Sequence, residues 1–182
     1  VLKHYEKMLN DDIFTRCSEI NDKLNEGCVS EARAMVIKLL DCLEKDNDSY
    51  MPLINHLVRE VGLYPYMNPE TSNWEDRFAY EAFKTDIGED KKYALHLDQS
   101  LVLKRLLLGD SIAVSAPTSF GKSFIIDAYI AIKRPNIVVD IVPTVALADE
   151  TRRRLTHKFG DEYKIITTTD ATVAEKSIFV FP

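Results

Sequence analysis

Residues 111–123 run Ser111-Ile-Ala-Val-Ser-Ala-Pro-Thr-Ser-Phe-Gly-Lys-Ser123. From Ala116 onward the spacing is Ala-x-x-x-x-Gly-Lys-Ser, that of a phosphate-binding loop with Ala116 in the first glycine slot. The chemistry follows from the residue types. Successive backbone N–H groups of such a loop wrap an anion. The helix that starts there adds the positive end of its dipole. Lys122 reaches the β- and γ-phosphates, and the Ser123 hydroxyl serves Mg²⁺.

A loop of this kind needs a strand before it and a helix after it. Ile112 to Ser115 is predicted as the strand, and the apolar pattern Phe124, Ile125, Ile126, Ala128, Tyr129, Ile130 predicts a helix over 122–133. The alternation continues with a strand at 136–142, a helix at 144–159 and strands at 163–167 and 177–181, after a helix at 101–108. Strands without clean alternation, separated by helices, predict a parallel sheet covered on both faces.

The first half reads as helical. Ile13, Cys17, Ile20 and Leu24 recur at steps of four, three and four, and Gly27 fits a stop. Ser30 is the predicted cap of a second helix with Ala32, Met35, Val36, Leu39, Leu40 and Leu43 on one face. A turn is expected at 46–49, and Pro52 opens a third helix with Leu53, Ile54, Leu57, Val58 and Val61. Residues 62–69 read as a loop. Ser72 to Glu75 has capping-box spacing before a fourth helix, and 86–90 is the best linker.

Charge divides the chain in the same place. Residues 1–90 hold 10 Lys and Arg against 19 Asp and Glu, a balance of −9; residues 91–182 hold 13 against 10, a balance of +3. The first half is therefore a poor surface for a phosphate backbone. The 3 cysteines have no Cys-x-x-Cys spacing, which predicts reduced thiols in helices of a cytoplasmic protein. No apolar run approaches the roughly 18 residues of a membrane helix, so no membrane partner is expected. The start, Val1-Leu-Lys-His-Tyr-Glu6, is charged, which predicts no signal peptide, and the absence of Met at position 1 suggests a trimmed piece.

Two further features stand at informative distances from the loop. Gln99 lies 23 residues before Lys122, and Pro143-Thr-Val-Ala-Leu-Ala-Asp-Glu150 follows the second predicted strand directly. With the 116–123 loop as motif I and 143–150 as motif Ia, residues 93–182 resemble the first RecA-like domain of a superfamily 2 helicase of the DExD/H-box kind. Glu150 and the Ser119-Phe120 pair lean toward the DExH branch that includes the Ski-like helicases. The resemblance does not extend to residues 1–90, whose residues identify no family by themselves. The resemblance implies an α/β fold, an incomplete parallel-sheet, RecA-like P-loop domain over 91–182, and the helical spacing and negative charge of the first half predict an all-α acidic domain over 1–90 before it.

The resemblance also implies roles. The backbone of Ala116, Pro117, Thr118, Ser119, Phe120 and Gly121, with Lys122 and Ser123, would bind ATP and Mg²⁺, Lys122 being the catalytic side chain. Gln99 would read the adenine edge through its amide; the plain alternative is an exposed helix glutamine. Pro143 and Thr144 would touch the phosphate–sugar backbone of single-stranded or duplex RNA or DNA; the plain alternative is a Pro–Thr helix cap. Members of the superfamily often carry Arg where Val145 stands, so one phosphate contact is missing. Arg152, Arg153, Arg154 and Lys158 would meet phosphates or form a solvated face.

No Asp-Glu-x-Asp/His sequence follows motif Ia, and the second RecA-like domain with its arginine finger is not in these residues. Hydrolysis is therefore expected of a full-length helicase and hardly of this piece. Ending directly after a strand is expected to leave an exposed sheet edge prone to self-association. Two other readings stand beside the helicase: a P-loop ATPase or kinase without nucleic acid, and a protein-docking module built on the acidic half.

Overall fold

A computed structural model describes residues 2–46, 51–168, 172 and 174–182, with side chains from residue 12 onward except that of residue 46. The chain divides into two compact units, one of residues 1–84 and 94–100, the other of 85–93 and 101–182.

The first unit is helical: α1 (Leu2–Asn25), α2 (Val29–Asp46), α3 (Pro52–Glu60), a single 3₁₀ turn at Tyr64–Tyr66, and α4 (Trp74–Ala82). Its core is the set of apolar positions that recur at helical spacing, among them Ile13, Cys17, Ile20, Val36, Leu39, Leu43, Ile54, Leu57 and Val58. α1 ends as its sequence predicts. Gly27 turns left-handed (φ 77°), and Gly27 N–H and Cys28 N–H donate to Leu24 O and Lys23 O, closing the last turn.

Two predicted caps differ. α2 begins at Val29, so Ser30 lies inside its first turn, and Ala32 N–H donates to Cys28 O. α4 is capped by Asn73, whose side chain accepts from Asp76 N–H at 2.8 Å. The Ser72 hydroxyl instead donates to Asn68 O at 2.7 Å, which removes it from the cap. From residue 47 on, the turn expected at 46–49 lies outside the described residues.

The short strands β1 (Lys84–Thr85) and β2 (Tyr93–Ala94) fall where the chain passes between the units, and α5 (Leu97–Leu107) starts in the first and ends in the second. α5 begins four residues before the predicted helix at 101. His96 explains the early start, because its N–H donates to Gln99 Oε1 and its carbonyl accepts from the Ser100 hydroxyl. Those bonds satisfy backbone groups of the first turn that would otherwise lack partners.

The second unit continues with a 3₁₀ turn (Thr118–Phe120), α6 (Lys122–Lys133), β3 (Ile137–Ile141), α7 (Val145–Phe159), β4 (Lys164–Ile166) and β5 (Ser177–Phe181). The three strands make a parallel sheet in the order β3-β5-β4, with Val139 and Ile166 both in register with Phe179. Central β5 buries Ile178 and Val180 against Ile130, Ala148, Leu155, Phe159 and Tyr163.

The strand predicted at Ile112–Ser115 does not form. Those residues belong to no ladder among the described residues, and Ala113, Val114 and Ser115 are exposed. Strand propensity acts through cross-strand neighbours, and here none lies alongside. The outer row of β3 is likewise bare, with Ile141 at 74% exposure.

The segment 85–93 is bound tightly into this unit. Gly88 is left-handed (φ 79°), and a methyl group there would overlap the Phe159 ring. Gly88→Ala is expected to cost about 1–2 kcal/mol for the backbone and a further 1–3 or so for the displaced ring. An unchanged denaturant midpoint would show that 85–93 is not packed on α7.

Asp140 in β3 is half-buried, and burial pushes its carboxyl above the ordinary value of 3.8. The folded state thus holds that proton more tightly than the unfolded one. The favourable contribution is complete below pH 3.8 and is lost as pH rises through the folded-state value. Asp140→Asn should therefore raise the thermal midpoint at pH 7, with the gain disappearing on acidification. A gain that persisted at low pH would mean that the carboxylate charge is not its source.

Candidate functional site

The loop that joins residue 115 to α6 has the features expected of an anion cradle. Pro117 is extended, Thr118–Phe120 make one tight turn, and Gly121 is left-handed (φ 76°, ψ 40°), a conformation that glycine adopts without penalty. α6 starts immediately afterward; Gly121 has no side chain to cap it, and Phe124 N–H and Ile125 N–H donate to the Gly121 carbonyl, so no side-chain oxygen occupies the helix start. The chain curls around Lys122: its Nζ donates to Ala116 O at 2.6 Å and to Pro117 O at 2.9 Å. An ammonium has three N–H donors, which leaves one beyond these two. Ser123 sits exposed one residue further along.

These groups fit a phosphate chemically. An uncapped helix start and a lysine ammonium offer donors and positive charge only, and no carboxylate contributes to the loop itself. The first turn of α6 is anchored by Phe124, which meets the Tyr93 ring edge-on at 5.8 Å between centroids.

Thr144 stands at the start of α7, exposed, with its hydroxyl oxygen accepting from Leu147 N–H at 3.2 Å. It is thus the helix cap that Pro–Thr spacing implies. As an acceptor in that bond, its hydroxyl still has its hydrogen to donate. Pro143 is exposed beside it, and Val145 is 70% exposed.

Gln99 belongs to the first unit. It is not the exposed helix glutamine of the plain alternative: its side chain is buried and its Oε1 accepts from His96 N–H at 2.9 Å. An amide that reads adenine needs both its oxygen and its nitrogen, and the His96 bond takes one of the two lone pairs of that oxygen.

The basic face of α7 is largely turned inward. Asp127 of α6, buried on the helix face toward α7, receives Arg154 and also Lys158, the latter at 3.1 Å. Lys158, only 10% exposed, also pairs with Glu89 at 2.9 Å, and Glu89 accepts from the Tyr93 hydroxyl. The Lys158 bond first, and the Tyr93 bond second, hold the Glu89 carboxyl below its usual range. Burial lowers the Arg154 guanidinium. Arg152 pairs with Asp149, and Arg153 is exposed. Arg154 and Lys158 therefore act as internal ions rather than as part of an open phosphate-binding face. Asp127 carried a sequence signal that periodicity reading passes over: a lone acid inside the apolar run 124–130.

Among the described residues no three His, Cys, Asp or Glu side chains gather at one metal-ligand site, and no helix is long and apolar enough to cross a membrane. Cys17, Cys28 and Cys42 are free thiols.

Residues 96–178 match the DEAD/DEAH box helicase family, the stretch that contains the loop, Thr144, β3, β4 and the first two residues of β5. Residues 1–77 match a second family, the anti-bacteriophage protein B N-terminal domain. The chain is 37% identical over 136 residues to Anti-bacteriophage protein B of Escherichia coli (strain K12), a match covering 74% of this chain and 18% of that protein. The chain thus spans less than a fifth of that relative's length. No solved structure is significantly similar.

Proposed function

We propose that these residues are the ATP-binding part of an ATP-dependent nucleic-acid helicase or translocase, with an acidic helical domain over 1–90 and the nucleotide-binding portion over 91–182. The observation that carries this reading is the loop itself: a left-handed Gly121, an uncapped α6, and Lys122 enclosed by the carbonyls of Ala116 and Pro117. The match of 96–178 to DEAD/DEAH box helicases supports it.

In this reading the backbone from Ala116 to Gly121 holds the phosphates of ATP. Lys122 exchanges a carbonyl bond for a phosphate oxygen and stabilises the charge that develops there. Ser123 holds Mg²⁺. ATP with Mg²⁺ supplies the phosphoanhydride whose cleavage drives movement on the strand. Gln99 presents its amide to the adenine edge, and Pro143 and Thr144 meet the strand backbone, Thr144 through its hydroxyl hydrogen. Val145 offers no charge beside them.

The experiment is ATP hydrolysis by the natural full-length protein, with and without single-stranded RNA and DNA. Stimulation by a strand supports the motor, and the preferred strand names the substrate. Hydrolysis indifferent to both would favour the plain ATPase. The piece of 182 residues alone is expected to turn over near background, since phosphoryl transfer also needs an oriented water and a further cation.

A second reading concerns the first half. Its balance of −9 and its match to a different family support a protein-docking role for residues 1–90, compatible with the motor role of the rest.

A further inference from the structure

The helical unit carries a groove of about 640 Å³ that the phosphate-loop reading leaves unused. One wall is a single face of α2, where Ile37, Leu40, Asp41 and Glu44 follow at helical spacing. The other wall is the segment after Tyr64, which presents Tyr66 and Met67. Leu40 and Met67 are buried and form an apolar floor, while Ile37 at 50% and Tyr66 at 52% exposure stand at the rims.

The groove is preformed. Asn55, wholly buried, accepts from Asn68 N–H at 2.8 Å and donates to the Thr71 hydroxyl at 3.0 Å, which fixes the far end of the second wall. Tyr64 stacks on Phe83 at 3.7 Å and fixes the near end. A wall held by buried groups loses little freedom when something binds.

Its charge selects the occupant. Asp41 is paired with Lys45 at 2.6 Å, whereas Glu44 is exposed and has no ion pair among the described residues. The surrounding half carries −9, which repels a phosphate backbone and attracts cations. An apolar floor with an aromatic rim and an unpaired carboxylate suits an apolar anchor next to a positive charge.

We infer that this groove docks a basic segment of a partner protein, seating an apolar side chain over Leu40 and Met67 and an Arg or Lys against Glu44. The inference rests on the reading of residues 1–90 as a docking module.

The test is fluorescence anisotropy of the whole chain with a labelled peptide of alternating Leu and Arg, beside a Leu/Glu counterpart. Ile37→Ser and Glu44→Lys change only exposed positions, and Glu19→Lys reverses an exposed charge on α1. The Leu/Arg peptide should bind and the Leu/Glu peptide should not. Ile37→Ser and Glu44→Lys should each weaken binding about tenfold, the effect of losing one anchor worth roughly 1.4 kcal/mol, while Glu19→Lys leaves it unchanged. Equal weakening by Glu19→Lys and Glu44→Lys, with no effect of Ile37→Ser, would overturn the groove and leave a diffuse acidic docking surface. Failure of both peptides to bind any form of the chain would overturn both the groove and the docking reading.

Discussion

Replacement of Lys122 by alanine will lower ATP hydrolysis by the full-length protein about a hundredfold to a thousandfold. That is the range found when one preorganised donor is removed from developing charge. The substitution removes the ammonium that Ala116 O and Pro117 O now hold, and it leaves the α6 start, with its left-handed Gly121, in place. Lys122 is half-exposed and contributes nothing to the sheet-unit core, so the variant should unfold at the wild-type denaturant midpoint. The informative pair of measurements is therefore turnover and stability on the same sample. Wild-type turnover in a folded variant would remove the loop from the reaction, and with it the nucleotide-binding reading of residues 96–178.

Asp127→Ala will destabilise the second unit by about 3–5 kcal/mol, the penalty for removing one partner from a buried ion cluster. Asp127 is the acid shared by Arg154 and Lys158. Without it, Arg154 keeps no carboxylate partner among the described residues, and Lys158 keeps only Glu89. Denaturant unfolding of the single variant beside Asp127→Ala/Arg154→Met measures the origin of the loss. The double variant should recover a substantial part of it, because the stranded guanidinium is then replaced by an apolar side chain of similar length. A small loss in the single variant would mean that water already reaches the cluster and screens it. α6 carries the loop and α7 carries Thr144, so a loosened cluster should also blunt the response of ATP hydrolysis to nucleic acid.

The helical framework was largely legible because its cores recur at the spacing that a helix imposes: Ile13, Cys17 and Ile20 in α1, and Ile54, Leu57 and Val58 in α3. β5 was legible for another reason. Ser177–Phe181 is a short apolar run with bulky side chains, and it lies between two partners that are both present. Ile112–Ser115 has a similar composition and is no strand, because composition cannot show whether a neighbour lies alongside. The loop was legible as a motif, but the folding of Lys122 back onto Ala116 and Pro117 was not, since backbone carbonyls leave no mark in sequence. Gln99 shows the same limit: its spacing pointed to a ligand, and its side chain is bonded to the backbone of His96. The inward turn of Arg154 and Lys158 depends on Asp127, 27 residues away from Arg154 in the chain, a pairing that only the packing of α6 on α7 creates.

The two carbonyls that hold Lys122 set an entry threshold for whatever the loop accepts. Each charge-assisted bond is worth on the order of 1.5–3 kcal/mol, and an arriving anion must better or share them. A lone, weakly charged oxyanion offers the ammonium little more than the carbonyls already do. Adjacent phosphoryl groups reach the ammonium and the N–H groups at the start of α6 together, and so exchange one set of bonds for a larger one. On the nucleotide-binding reading the loop would discriminate by charge density: affinity should climb steeply from mono- to di- to triphosphate, whatever base is attached.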